Sequence, residues 1–305
     1  MTKTTAKDSL RGIFPALMTA FSDDGIRTDA VTALVQKLAA DGVDGFYVGG
    51  SSGEMVLCSP EERQRLLETV REAAGSLPVI AHIGAMSTRD AAALGRHAAR
   101  CGADAVSSVT PLYYRYRFDE VLHYYQRLAG ESGLPLVIYN IPGLTGTAYG
   151  YDELCRLLEL PGVAGMKFTS SDFFLLGRLA DTYPDKVFFN GSDEMLLSGL
   201  NAGAAGGIGT TYNFMPDLFA ALFRLFSRGK TKEAMDVQQM IRRVIAVVLK
   251  YGAIPASKAM IRFYGVDYGV CREPFLPLGE DAVRDLYENA WLPLERFRQE
   301  MDPQW

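Results

Sequence analysis

One lysine stands where the sequence pattern predicts a core residue. The apolar run Val163-Ala164-Gly165-Met166 is typical of a buried strand, and Lys167 follows it directly. A buried ammonium is unfavourable unless it is paired or has lost its proton. A neutral lysine amine attacks carbonyl carbon, and the iminium it forms accepts electrons from a neighbouring C–C bond. Taken by itself, the strand is more typical of a structural ion pair or of a lysine that reaches solvent.

Two further segments place polar groups beside apolar strands. The stretch Gly49-Gly50-Ser51-Ser52-Gly53 offers hydroxyls and backbone N–H groups just before a helix, and such a turn can bind a carboxylate. The same glycines are also consistent with a turn that only reverses the chain. Tyr139 and Asn140 close another apolar run. Tyr139 is the candidate acid/base, because no histidine stands at these strand ends.

These residues depend on the elements that carry them, and short apolar runs alternate along the chain with longer amphipathic ones. The runs predict strands at 12–20, 45–50, 78–84, 105–111, 135–142, 163–170, 186–193 and 205–213. Ser59, Pro60 and Glu62 predict a helix start with a capping box, and Asp90 and Gly102 mark the start and end of the next helix. This alternation predicts an α/β fold of the (β/α)8 TIM-barrel type. An open doubly wound sheet is the alternative, although no GxGxxG opens a helix after the first strand.

The chain is predicted to have two parts. Residues 1–229 form the barrel that carries the active site, and residues 230–305 form a C-terminal helical extension. The extension contains helical patterns at 230–252, 254–265 and 279–301. It shows no catalytic residue pattern of its own.

A TIM barrel places its chemistry at the carboxyl ends of the strands. The residues that close the predicted strands or directly follow them at that end are mostly polar: Ser51, Ser52, Glu54, Tyr113, Tyr114, Tyr139, Asn140, Lys167, Thr169, Gly191, Asp193, Glu194, Thr210 and Tyr212. Lys167 therefore faces a shared mouth, and this placement favours its role as a nucleophile. The glycines at 206–209 can form a phosphate cradle or a close-packed strand. Packing is favoured, because Asp193 and Glu194 would repel a phosphate.

Composition and charge exclude several classes of protein. The 305 residues carry a formal net charge of -5 and no Lys/Arg cluster, which argues against nucleic acid as a partner. No apolar run approaches a membrane span, and the N-terminal stretch MTKTTAKDSLRG lacks the apolar core of a signal peptide. Four widely spaced cysteines without a CxxC pair predict reduced thiols in a cytoplasmic protein.

No cofactor is expected, and no metal site built from histidines is predicted. The three histidines, His82, His97 and His123, form no HxxxH or HExxH pattern. A metal site built from carboxylates is left open.

Five motifs occur in the order seen in pyruvate-dependent class I aldolases: GGSSGE (49–54), YNIP (139–142), GMKFTSSD (165–172), NGSDE (190–194) and GGIGTTYN (206–213). The chain resembles this family from about residue 12 to residue 272, and the family contains sialic acid lyases as well as dihydrodipicolinate synthase. The resemblance implies that Lys167 forms a Schiff base with the keto carbon of the substrate. It implies that Tyr139, supported by Tyr113, moves the proton, and that Ser51 and Ser52 hold the pyruvate carboxylate.

The resemblance also implies how the rest of the substrate is held and how the protein assembles. Residues matching those that contact the sugar tail are Thr169, Gly191, Asp193, Glu194 and Thr210. The family's usual assembly implies a homotetramer, with a keto sugar acid and pyruvate as the small-molecule partners.

Three positions depart from the family pattern. Ser52 stands where threonine is more usual and Thr210 where some members have serine, so both hydroxyls are kept. Leu144 stands where the lysine-biosynthesis members carry an arginine that binds a second carboxylate. The implied activity is therefore the cleavage of a nine-carbon keto sugar acid, sialic acid, to pyruvate and an N-acetylated sugar.

Other functions stay open. They are an aldolase or dehydratase for another 2-keto-3-deoxy sugar acid, dihydrodipicolinate synthesis, and a non-catalytic keto-acid sensor. A sensor is disfavoured because it has no need to keep both Lys167 and Tyr139.

Overall fold

Eight parallel strands form the centre of the computed structural model, which describes residues 10–22 and 25–301. The first nine residues of the polar N-terminal stretch lie outside the described residues. We number the strands β1 to β8: Gly12–Pro15, Phe46–Val48, Val79–His82, Ala105–Val109, Leu136–Asn140, Val163–Phe168, Val187–Asn190 and Gly206–Gly209.

Each strand pairs in parallel with the next one along the chain, except that β1 pairs with β8 instead of β2. A bridge between Ala16 and Tyr47 joins the end of β1 to β2, and Leu17 N donates to Tyr47 O at 2.8 Å. These contacts bring the two edges of the sheet together. The predicted TIM barrel is confirmed.

Helices follow the strands and cover the barrel. We number them α1 to α12: Thr28–Ala40, Pro60–Ala73, Thr88–Cys101, Phe118–Ser132, Tyr151–Leu158, Phe173–Thr182, Leu196–Asn201, Pro216–Ser227, Thr231–Lys250, Ala253–Phe263, Glu280–Leu286 and Leu292–Glu300. A short antiparallel hairpin, Phe21–Ser22 with Gly25–Ile26, precedes α1, and one helical turn, Pro142–Thr145, follows β5.

The predicted start of α2 and the predicted end of α3 are confirmed. Ser59 Oγ accepts from Glu62 N at 3.2 Å, and Glu62 Oε2 accepts from Ser59 N at 2.8 Å, which completes the capping box. Gly102 ends α3 with a φ of 79°, a left-handed conformation that favours glycine.

The strands end earlier than the apolar runs suggest. The residues after β2, β7 and β8 turn into short 3₁₀ helices, Ser51–Gly53, Asp193–Met195 and Thr211–Asn213. These turns bend the chain at the mouth of the barrel, so residues expected at the last positions of strands lie in the loops that surround the mouth.

Helices α9 to α12 follow the barrel and pack against its outer layer. Buried residues of α9, such as Val237 and Ile241, belong to the same hydrophobic core as Leu222 and Leu225 of α8. Within the described residues no single helix is long and apolar enough to cross a membrane, and α9 with α10 passes that test only as a pair bent by 118°.

Candidate active site

Lys167 lies on β6 inside the barrel and is only 3% exposed to solvent. Its Nζ lies 4.1 Å from the ring centroid of Tyr139 and 4.7 Å from that of Tyr47. The parallel register pairs Tyr139 with Lys167, so the sheet itself brings the two side chains together. Among the described residues no carboxylate forms an ion pair with Lys167.

Two glycines near Lys167 allow close packing between β6 and the end of β7. At Gly165 a Cβ would overlap the backbone carbonyl of Val187 on the neighbouring strand, so only glycine fits two residues before Lys167. At Gly191 a Cβ would overlap Thr169 Oγ1 and would lie 3.2 Å from Lys167 Cε. The close approach of β6 to β7 therefore depends on both glycines.

Tyr47 is a residue of the site that sequence reasoning missed. Its ring centroid lies 6.0 Å from that of Tyr139, and its hydroxyl donates to Ser107 Oγ at 3.1 Å. Burial, together with the neighbouring Tyr139, raises the pKa of Tyr47 well above its ordinary value. Tyr47 therefore stays protonated and shields the lysine from water. Because Tyr47 lies in the middle of an apolar strand, its sequence position does not indicate this role.

His82 is the last residue of β3, so the expectation that no histidine stands at a strand end is wrong. It forms a buried polar pair with Arg63 behind the two tyrosines. Arg63 donates to Gly84 O at 2.7 Å and to His82 O at 2.6 Å, and burial lowers its pKa to about 10. His82 Nε2 accepts from Val109 N at 3.2 Å. Burial, and then the charges of Arg63 and Lys167, lower the pKa of His82 well below its ordinary value. A neutral His82 whose Nε2 is an acceptor is suited to support the site and not to protonate a substrate.

A cavity of about 630 Å³ opens at the carboxyl ends of the strands. Seven of the predicted site residues line it: Ser51, Ser52, Tyr139, Lys167, Thr169, Gly191 and Thr210. The structure therefore brings together residues that are far apart in the chain.

The polar side of this cavity includes the hydroxyls of Ser52, Thr210 and Thr169, of which the first two are hydrogen-bonded to each other. Ser52 Oγ and Thr210 Oγ1 are hydrogen-bonded at 2.6 Å, which joins the turn after β2 to the end of β8. Thr169 Oγ1 is buried and has no hydrogen-bond partner among the described residues. Because a buried hydroxyl without a partner is unfavourable, Thr169 is available to a ligand.

The opposite side of the cavity is largely apolar and comes mostly from the C-terminal extension. Its residues are Ile141, Leu144, Ile208, Tyr251, Gly252, Ala253, Ile254, Pro255, Pro274, Phe275, Leu276 and Leu278. No sequence pattern indicates that the extension contributes to the site, because an apolar wall has no motif.

Asp193 and Glu194 do not line the cavity. Asp193 is buried, and its Oδ2 accepts from Thr211 N at 2.8 Å and from Thr211 Oγ1 at 2.7 Å. Burial raises the pKa of Asp193 to about 6, although the bonds from Thr211 oppose this. A Cβ at Gly209 would overlap Asp193 Oδ1, so this glycine makes room for the carboxylate. Glu194 is exposed.

Tyr113 is also absent from the cavity wall of its own chain. It is 84% exposed, and its ring stacks edge-on against Tyr114 at a centroid distance of 5.0 Å. Its φ of 77° is unusual for a residue other than glycine.

Comparison with known proteins agrees with this geometry. The chain matches the model of the dihydrodipicolinate synthetase family over residues 9–290. It is 46% identical over 292 residues to the N-acetylneuraminate lyase of Rhizobium meliloti (strain 1021), covering 95% of this chain and 97% of the relative. It is 39% identical over 281 residues to the N-acetylneuraminate lyase of Enterobacter sp. (strain 638), covering 91% and 95%.

Solved structures show the same fold. A catalytic lysine mutant of the Ruminococcus gnavus sialic acid aldolase superposes with a TM-score of 0.93 at 29% identity, covering 98% of this chain and 100% of that chain. The N-acetylneuraminate lyase of Fusobacterium nucleatum complexed with pyruvate gives a TM-score of 0.87 at 33% identity, covering 94% and 98%. The resemblance predicted from the five motifs is confirmed.

Proposed function

The chain belongs to the dihydrodipicolinate synthetase family, and we propose that within it the chain is a Schiff-base lyase that cleaves N-acetylneuraminate to pyruvate and N-acetylmannosamine. It is a carbon–carbon lyase, and its substrates are pyruvate and a sialic sugar. One observation carries the mechanism. Lys167 is buried between two tyrosine rings and lines the cavity where the predicted binding residues meet.

The lysine amine attacks the keto carbon of the open-chain sugar acid, and loss of water gives an iminium. The iminium withdraws the electron pair of the bond between C3 and C4, while the C4 hydroxyl loses its proton and becomes the aldehyde of N-acetylmannosamine. The remaining enamine takes up a proton at C3, and water then releases pyruvate and the free amine. Tyr139 is the group that moves these protons, because its ring lies against the amine. Tyr251, the other tyrosine of the cavity wall, belongs to the extension and donates its hydroxyl proton to Asp285 Oδ2 at 2.8 Å.

The carboxylate next to the keto carbon is held by the turn after β2. Ser51 and Ser52 line the cavity there, and the bond between Ser52 and Thr210 fixes the turn against β8. Thr169, with its unpartnered hydroxyl, contacts the first hydroxyls of the sugar beside Gly191.

Asp193 and Glu194 do not line the cavity, and in this proposal they meet only the far end of the polyol tail, where it extends beyond the cavity wall. Thr211 occupies only Oδ2 of Asp193, which leaves Oδ1 as an acceptor, and Glu194 is exposed at the rim. Leu144 lines the cavity and is 68% exposed, so at this position no cation meets a second substrate carboxylate. This disfavours dihydrodipicolinate synthesis.

Tyr113 acts across a subunit interface in a homotetramer. An exposed tyrosine in a left-handed conformation is strained, and such strain concentrates at functional positions. Tyr113 and Tyr114 form an exposed aromatic pair of the kind enriched at interfaces. In the tetramer, Tyr113 supports the hydroxyl of Tyr139 in a neighbouring subunit.

The cellular location and the domain boundary are part of the same proposal. The protein is cytoplasmic, which agrees with four cysteines that are all free: Cys58, Cys101, Cys155 and Cys271. The proposed domain boundary lies between residues 229 and 230, with the barrel before it and the extension after it.

Trapping tests the mechanism directly. Borohydride in the presence of pyruvate reduces the imine, so mass spectrometry is expected to find a stable adduct on the peptide that contains Lys167. Lys167→Met is the control and is expected to give no adduct. An unmodified Lys167 peptide at saturating pyruvate would refute the Schiff-base mechanism.

A further inference from the structure

The turn that holds the substrate carboxylate continues into a buried acid that the mechanism does not use. Glu54 follows Ser51, Ser52 and Gly53 directly, and its side chain is 0% exposed. Its backbone has φ 57° and ψ 40°, a left-handed conformation that residues with a side chain rarely adopt. Such a conformation persists only where the surroundings enforce it.

The partner of Glu54 is a buried lysine of the C-terminal extension. Lys258 lies on α10 with a side chain that is 1% exposed, and its Nζ lies 2.7 Å from Glu54 Oε1. The same Nζ donates to Val270 O at 2.9 Å, and Glu54 Oε2 accepts from Arg272 N at 2.9 Å. One carboxylate thus fixes both α10 and the segment that follows it.

Both of these segments continue into the apolar wall of the cavity. Ile254 and Pro255 lie one turn before Lys258 on α10, and Pro274 and Phe275 come shortly after Arg272. The ion pair therefore connects the two sides of the cavity, the hydroxyls that hold the carboxylate and the wall that faces the rest of the substrate.

Arg272 makes a second connection between the extension and the chain that follows the turn after β2. Arg272 Nη1 donates to Leu57 O at 2.9 Å and to Glu62 Oε2 at 2.7 Å. Leu57 and Glu62 both belong to the chain that leaves the turn after β2 and enters α2. The extension is thus tied to this one loop by two cations.

We propose that Glu54 and Lys258 are positioning residues for the lyase, and that their ion pair sets the substrate affinity of the cavity by holding the carboxylate turn against the extension. This rests on the proposed function. Stability alone does not explain the pair, because replacing a buried ion pair by apolar residues of similar size is often neutral or stabilising. Breaking the pair from one side has a different result, since it leaves one buried charge uncompensated.

Variants of the pair separate positioning from stability. Glu54→Gln leaves the Lys258 ammonium without a counter-charge, so it is expected to lower the thermal midpoint. The double variant Glu54→Gln/Lys258→Met removes both charges and is expected to regain most of that midpoint. Asp217→Asn is the control, because Asp217 forms a less buried ion pair with Arg298 at 2.8 Å between α8 and α12 and does not line the cavity.

The readouts are kcat and KM for N-acetylneuraminate and the pyruvate concentration that gives half-maximal borohydride trapping at Lys167. The double variant is expected to raise KM and the half-trapping concentration about tenfold or more, with kcat changed less than about threefold. Asp217→Asn is expected to change none of the three.

A double variant with the KM and trapping of the unchanged enzyme would overturn the proposal. So would a double variant that does not fold, since the pair would then be structural. Failure of the proposed function is distinguishable, because in that case the unchanged enzyme itself would not trap pyruvate at Lys167.

Discussion

Replacing Asp193 by asparagine is expected to stabilise the protein at neutral pH and to weaken its activity on sialic acid. The carboxyl is buried, and burial raises its pKa from 3.8 to about 6. Its folded-state pKa lies above the unfolded one, so the folded protein loses stability as the pH rises from about 4 through 6. At 1.36 kcal/mol per pKa unit, the loss at pH 8 is on the order of 3 kcal/mol. Asparagine has no such loss.

The stability gain of Asp193→Asn should therefore depend on pH in a defined way. Asparagine keeps an oxygen that can accept from Thr211 N, so the turn after β8 is retained. The free energies of unfolding from urea titrations at fixed protein concentration are expected to differ little at pH 4 and to favour the variant by up to about 3 kcal/mol at pH 8. A variant less stable than the unchanged protein at pH 8 would refute the electrostatic reasoning.

The same variant tests the role of Asp193 toward the substrate. Each hydrogen bond from a sugar hydroxyl to a charged acceptor contributes about 1.5–3 kcal/mol, so kcat/KM for N-acetylneuraminate is expected to fall by roughly tenfold or more. Pyruvate trapping at Lys167 is expected to stay near normal, because pyruvate does not reach Asp193. If kcat/KM is unchanged while stability rises, Asp193 is only the acceptor for Thr211.

Three further predictions concern the proton, the assembly and the substrate. Tyr139→Phe is expected to keep pyruvate trapping and to lower kcat about 10²–10⁴-fold, and an unchanged kcat would assign the proton transfer to water or to the substrate. Light scattering is expected to give a tetramer for the unchanged protein and a weaker assembly for Tyr113→Ala, whereas a monomeric unchanged protein would contradict the interface. Leu144→Arg is expected not to create dihydrodipicolinate synthase activity, because Asp193 and Glu194 still oppose a second carboxylate. In the unchanged enzyme, a higher kcat/KM for a shorter keto sugar acid than for sialic acid would exclude the substrate assignment but not the aldolase class.

The residues that hold the reacting end of the substrate could be predicted from the sequence. Lys167, Tyr139 and Ser52 all follow apolar runs, and parallel strands in a barrel bring such positions to one mouth. The prediction needed only the order of strands and helices, because the carboxyl ends of all strands in a parallel barrel lie on the same side. This is why residues far apart in the chain could be placed together from their sequence positions.

Other parts of the site depend on contacts that no local pattern records. Tyr47 lies within an apolar strand, and its closeness to Lys167 follows from barrel closure. The orientation of Asp193 follows from the absence of a side chain at Gly209. The role proposed for Tyr113 needs a second chain. Phe275 and the rest of the apolar wall come from a segment whose sequence shows only helix periodicity and turns.

The division of the cavity suggests how one barrel serves different substrates. The strand ends hold the amine and the hydroxyls that a keto acid needs, and every substrate with a pyruvate end presents the same groups to them. In the proposed binding mode, the wall from the extension faces the part of the substrate that differs between sugar acids. Changes in the extension can therefore alter which aldehyde is accepted without disturbing the chemistry at Lys167. The buried ion pair between Glu54 and Lys258 connects the turn after β2 to the extension, and we expect it to hold these two parts of the cavity in a fixed relative position.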